Sequence, residues 1–139
     1  MQLTASIFGW VVVAGVLFSA ANYFFKLLSR KWVAKTDSNL SIRKKYLGFL
    51  KGYLRFHPFI GFMTSIGFVV HFILQYLNWG FFLTGVIAGS LLIFQTVLGF
   101  FGYLFKHKKR GLWFYIHRSI ALVLMIAIAV HIIYIKVGF

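Results

Sequence analysis

Four apolar runs, residues 5–27, 58–77, 81–104 and 112–135, dictate what this chain can become. Each reaches the roughly 20 residues that an α-helix needs to cross the hydrocarbon core of a bilayer. Hydrocarbon offers no water to backbone N–H and C=O groups, so runs of this length must satisfy those groups internally, as helices do. The 139 residues are 61% hydrophobic with a mean hydropathy of +0.88, well outside the composition of a soluble domain. The expected fold is all-α, a single four-transmembrane-helix bundle. The N-terminal MQLTAS lacks the basic region of a signal peptide, so the first run reads as a retained helix.

Fifteen Lys and Arg oppose one acid, Asp37, giving a formal charge of +14. The charges lie between the apolar runs. Lys26, Arg30, Lys31, Lys35, Arg43, Lys44, Lys45, Lys51 and Arg55 precede the second, and Lys106, Lys108, Lys109 and Arg110 precede the fourth. The positive-inside rule puts both clusters on the cytoplasmic side, with both termini outside, in what is expected to be the bacterial inner membrane. Charge placed this way points to membrane lipids as partners and not to nucleic acid, since no basic module is left over. With no cysteine, disulfides, thiolate metal sites and covalently attached c-type haem are excluded.

The connection between the first two runs has a pattern of its own. Residues 39–56 space Ile42, Tyr46, Phe49, Leu50 and Tyr53 at helical intervals, with Lys44, Lys51 and Arg55 on another side. This predicts an amphipathic interfacial helix, capped by Ser38, Asn39 or Ser41. It either anchors on anionic lipid or forms the floor of a cytoplasmic-side site that docks an acidic partner. Pro58, at the first position of the following span, is expected to leave His57 at the helix start unless the interfacial helix continues through a kink.

Four of the five histidines fall in or at the ends of spans, as His57/His71 and His117/His131, each pair fourteen positions apart. Fourteen residues rise about 21 Å and nearly complete four turns, so the two histidines of a pair share one helix face. Ligands that far apart cannot share one metal ion, whose bonds to imidazole nitrogen are about 2 Å long. The spans carry no Asp or Glu for a carboxylate metal centre. What fits is two centres stacked across the membrane, His57 with His117 on the basic side and His71 with His131 near the opposite face. Haem b, held by histidines without covalent attachment, suits such sites.

Small residues stand one turn inward from each histidine: Gly61, Gly67, Ala121 and Ala127. Gly85 and Gly99 of the third run repeat the spacing of fourteen. They either leave room for a porphyrin or mediate helix contacts. Arg118 and Arg55 suit either propionates or lipid headgroups. Gln75, Asn78 and Gln95 suit helix–helix hydrogen bonds, a propionate or a quinone carbonyl. His107, in the basic loop, reads as solvated, and Trp10, Trp32, Trp79 and Trp113 form an interfacial belt.

Over residues 56–134 the pattern resembles the four-helix haem-binding bundle of the dihaem membrane cytochromes b. That class includes respiratory cytochrome b and the ferric reductase/NADPH oxidase membrane domain. The resemblance implies that His57, His71, His117 and His131 ligate two stacked b haems. It also likens Gly85 and Gly99 to the haem-packing glycines of respiratory cytochrome b. The quinol-site motif is missing, the basic first loop is inverted relative to respiratory cytochrome b, and no flavin or nicotinamide domain accompanies the spans. The implied function is transmembrane electron transfer with redox partner proteins or a larger membrane complex, linked to quinone or to metal reduction. The rival expectations are a structural or pigment-binding subunit without redox-active haem and a proton-conducting transporter. Positive charge on the basic side is expected to raise the potential of the inner haem.

Overall fold

A computed structural model describes residues 2–35, 41–105 and 111–138. Its elements are α1 (Gln2–Lys31), a 3-10 turn (Val33–Lys35), α2 (Ser41–Trp79), α3 (Leu83–Leu104) and α4 (Leu112–Val137). All four α-helices are long and apolar enough to cross a membrane, and the described residues contain no strand. The chain is an all-α, four-helix integral membrane protein. Asp37, the proposed caps Ser38 and Asn39, and the basic loop Lys106, His107, Lys108, Lys109 and Arg110 lie outside the described residues.

α2 departs from expectation. It runs unbroken for 39 residues with Pro58 inside it, so residues 41–56 continue directly into the span and His57 sits in the helix body. Proline removes one backbone hydrogen bond, which membrane helices tolerate when their surroundings hold them. Here α1 supplies the support. On the N-terminal side of Pro58, the Tyr46 hydroxyl donates to the Phe25 carbonyl at 2.7 Å and the Tyr53 hydroxyl donates to the Phe18 carbonyl. Phe18, Phe25 and Phe49 surround the Tyr53 ring. On the C-terminal side, Thr64 fills the notch left by Gly15. Tyr46, Phe49 and Tyr53 of the apolar stripe thus have a protein partner in α1, which the amphipathic pattern alone did not reveal, while Ile42 is exposed.

α2 ends where Gly80 adopts φ 79° and returns its N–H to the Tyr76 carbonyl at 2.9 Å, a left-handed cap that favours glycine. Close packing then runs from α1 to α2, α2 to α3 and α3 to α4, with a thinner α1–α4 contact closing the ring. α2 and α4 therefore stand on a diagonal. Lipid tails are as apolar as leucine, so the helices are held by close contact and interhelical hydrogen bonds. A Cβ on Gly15 would strike Thr64, one on Gly89 the Phe68 ring, and one on Gly102 the Trp113 ring. Ser65 Oγ and Thr96 Oγ1 join α2 to α3 at 2.6 Å. The core comprises Val12, Val16, Leu92 and Leu124, backed by Phe68, Leu91 and Ile128.

Gly15→Val should push α1 from α2, lowering the thermal unfolding midpoint in detergent by the equivalent of about 1–3 kcal/mol. Gly52, with open space where a Cβ would stand, should accept alanine without loss.

Candidate functional site

The diagonal helices bring the four span histidines together as two pairs. His71 of α2 and His131 of α4 lie within electrostatic reach of each other, and so do His57 and His117. Helices that run parallel on a diagonal, each with histidines fourteen residues apart, place histidines within electrostatic reach of each other at two depths. Among the described residues, no three His, Cys, Asp or Glu gather at one point.

The outer pair, His71 and His131, lines a cavity of about 550 Å³. Its inner wall is apolar, with Val12, Phe68, Leu92 and Ile128, while Gln75, Trp79 and Lys136 lie toward the helix ends. Each imidazole is held by a different neighbouring helix. His71 Nδ1 donates to the Ala5 carbonyl of α1 at 2.9 Å, and its ring occupies the space where a Cβ on Gly9 would stand, 2.9 Å from Cε1. His131 Nδ1 meets Thr84 Oγ1 of α3 at 2.9 Å, and its ring lies over Gly85, whose Cβ would come within 3.0 Å of Cε1. In both cases Nδ1 is engaged and Nε2 is left for something else.

The inner pair is built differently. The Gln95 amide nitrogen donates to His117 Nε2 at 3.3 Å. Trp113 stacks on the same imidazole, with centroids 5.6 Å apart and planes at 17°, and its indole N–H donates to the Leu98 carbonyl at 2.8 Å. A Cβ on Gly99 would stand 3.4 Å from His117 Cε1. Among the described residues, the buried side-chain atoms without a hydrogen-bond partner are Ser19 Oγ, Asn22 Oδ1, His57 Nδ1, Gln95 Oε1 and His117 Nδ1. The α1 members belong to the same end of the bundle, because α1 opposes α2 through Gly15–Thr64 above them and Phe25–Tyr53 below. Lys26 is within electrostatic reach of both inner histidines, and the Arg118 guanidinium sits 4.0 Å above the Tyr23 ring, tying α4 to α1.

The remaining small residues fall as follows. Gly61 has open space where a side chain would project, and Gly67 faces Val12 of α1 at 3.6 Å. Ala121 and Ala127 are half-buried on α4. Asn78 bonds back to the Leu74 carbonyl of its own helix. The residues that sequence reasoning missed are Gly9, the Ala5 carbonyl, Thr84, Ser19 and Asn22. Thr84 and Gly9 carry no spacing that ties them to a histidine, so the signal exists only in the packing. No family model, curated protein or solved structure matches the chain.

Gly85→Val should drive methyl groups into the His131 ring and break its contact with Thr84. In protein labelled with 15N-histidine, the His131 resonances should move while those of His57 stay in place.

Proposed function

We propose that the chain is a b-type membrane cytochrome that carries electrons across the membrane through two haems b. His57 and His117 hold the one near the basic face, and His71 and His131 hold the other. The observation that carries this reading is the outer cavity. Two imidazoles from diagonal helices flank a largely apolar space of about 550 Å³, within the roughly 300–1,000 Å³ typical of cofactor sites.

The donor set fits the group. Bis-histidine ligation needs two neutral imidazoles that offer one nitrogen each to iron. The outer histidines have their other nitrogen engaged by Ala5 and Thr84. Lys136, near the cavity's outer end, supplies a cation for propionate carboxylates. At the inner pair, Gln95 occupies His117 Nε2, so ligation there requires that amide to turn away. The unpartnered His57 Nδ1 and His117 Nδ1 are the donors left over, and Gln95 Oε1, also unpartnered, is an acceptor in the same layer. Lys26 and Arg118 bring positive charge to this end.

Bound haem supplies reversible one-electron exchange at iron, with no bond made or broken at a side chain. The protein's work is to fix two ligand pairs at two depths, to exclude water between them and to set the charge around each. In this reading the basic clusters face the cytoplasm of a bacterial inner membrane and both termini lie outside. Electrons are exchanged with redox partner proteins, with a larger membrane complex or with a quinone.

A dithionite-minus-oxidised visible spectrum with haem quantitation tests the proposal. Two haems b per chain are expected, with His71→Ala losing the outer and His117→Ala the inner, each leaving about one. A folded wild-type protein without haem would overturn the reading in favour of a structural membrane subunit.

A further inference from the structure

The two histidine pairs are not equivalent, and the difference lies in what holds each imidazole. A neutral imidazole has one N–H and one bare nitrogen, and the partner of one nitrogen decides the state of the other. For His71 the direction is settled by chemistry. A carbonyl only accepts, so the Ala5 carbonyl at 2.9 Å places the proton on Nδ1 and leaves Nε2 bare. For His131 the partner is a hydroxyl, Thr84 Oγ1, also at 2.9 Å, which is able to donate or accept. The two sites are otherwise built alike: each ring lies over a glycine of the adjacent helix, Gly9 or Gly85. In both, Nδ1 makes the bond.

We infer that Thr84 is a positioning residue for His131: its hydroxyl accepts the Nδ1 proton, fixes the ring over Gly85 and leaves Nε2 bare toward the cavity shared with His71. The inner histidines lack this device. His57 Nδ1 and His117 Nδ1 have no partner, and His117 Nε2 is taken by Gln95. The outer site is therefore preorganised for ligation and the inner one is not. Hydrogen bonding at Nδ1 makes the opposite nitrogen a stronger donor, which favours the oxidised state of a ligated iron and lowers its potential. This last consequence rests on the haem reading, whereas the tautomer does not.

Thr84→Val keeps the branched shape and removes the acceptor, and Thr84→Ser keeps the acceptor. In haem-free protein labelled with 15N-histidine, His131 should carry its proton on Nδ1. Thr84→Val should transfer it to Nε2, the form preferred by free imidazole side chains, and Thr84→Ser should restore Nδ1–H. In the haem-loaded protein, a redox titration should give two waves. Thr84→Val should shift only one of them to higher potential, the wave that His71→Ala abolishes, and Thr84→Ser should return it toward the wild-type position. An Nε2–H tautomer at His131 in the wild type, or Nδ1–H retained in Thr84→Val, would overturn the role of Thr84. Two waves that move together, or do not move, would overturn the asymmetry. A wild-type protein that takes up no haem would overturn the proposed function while leaving the tautomer measurement to decide Thr84.

Discussion

An imidazole placed among hydrocarbon tails has two nitrogens to satisfy, and the bundle is arranged around that requirement. Leaving either nitrogen bare in a dry interior is costly, so each histidine has to face a neighbouring helix, a ligand or both. The outer pair meets half of the demand with protein: a backbone carbonyl from α1 and a hydroxyl from α3 take the two Nδ1 atoms. Both histidines also line the cavity. At the inner pair the Gln95 amide meets the demand at His117 Nε2, while His57 Nδ1 and His117 Nδ1 have no partner among the described residues. The remaining shortfall coincides with unpartnered oxygens of Ser19, Asn22 and Gln95.

This explains why a helix without a histidine is part of both sites. α1 contributes the Ala5 carbonyl and the bare backbone of Gly9 to the outer layer, and Ser19, Asn22, Tyr23 and Lys26 to the inner one. Its hold on α2 is the most extensive in the bundle. That hold spans both sides of Pro58, through Tyr46 and Tyr53 before it and Thr64 after it. A proline next to His57 would otherwise be a weak point. Clamped on both sides, α2 carries His57 and His71 in one continuous helix.

What could be read from sequence follows from locality. The spans and the shared face of each histidine pair are set by length and by helical repeat within one segment, and His57 lies within electrostatic reach of His117, as His71 does of His131. Gly85 and Gly99 were visible for the same reason, and each lies against an α4 histidine. The depth at which α1 meets α2 was not legible, because it depends on how α1 is rotated about its axis, and α1 has no ionisable side chain before Tyr23 to mark a face. Gly9 and Thr84 thus went unseen. Pro58 misled for a related reason. Its local preference is for a helix start, and only the contacts with α1 show why the helix continues through it.

The region between the two layers bears on the proposed conduit. Thr64, Leu92 and Leu124 are 5%, 5% and 3% exposed, and each stands seven residues from both flanking positions, 57 and 71, 85 and 99, 117 and 131. Seven residues are about two helical turns, so each of the three stands on the face that carries its flanking positions, at a depth midway between the histidine layers. Val12 and Val16 complete this septum from α1. The hydroxyls nearby are engaged within the protein: Thr64 donates to the Ile60 carbonyl, and Ser65 and Thr96 share one hydrogen bond and lie within reach of the Gly61 and Leu92 carbonyls, one turn back in their own helices. Close-packed apolar atoms hinder ions and water far more than electrons, which tunnel through them. Histidine layers at two depths with a buried, mostly apolar layer between them suit the proposed electron conduit, a property that the histidine spacing alone does not confer.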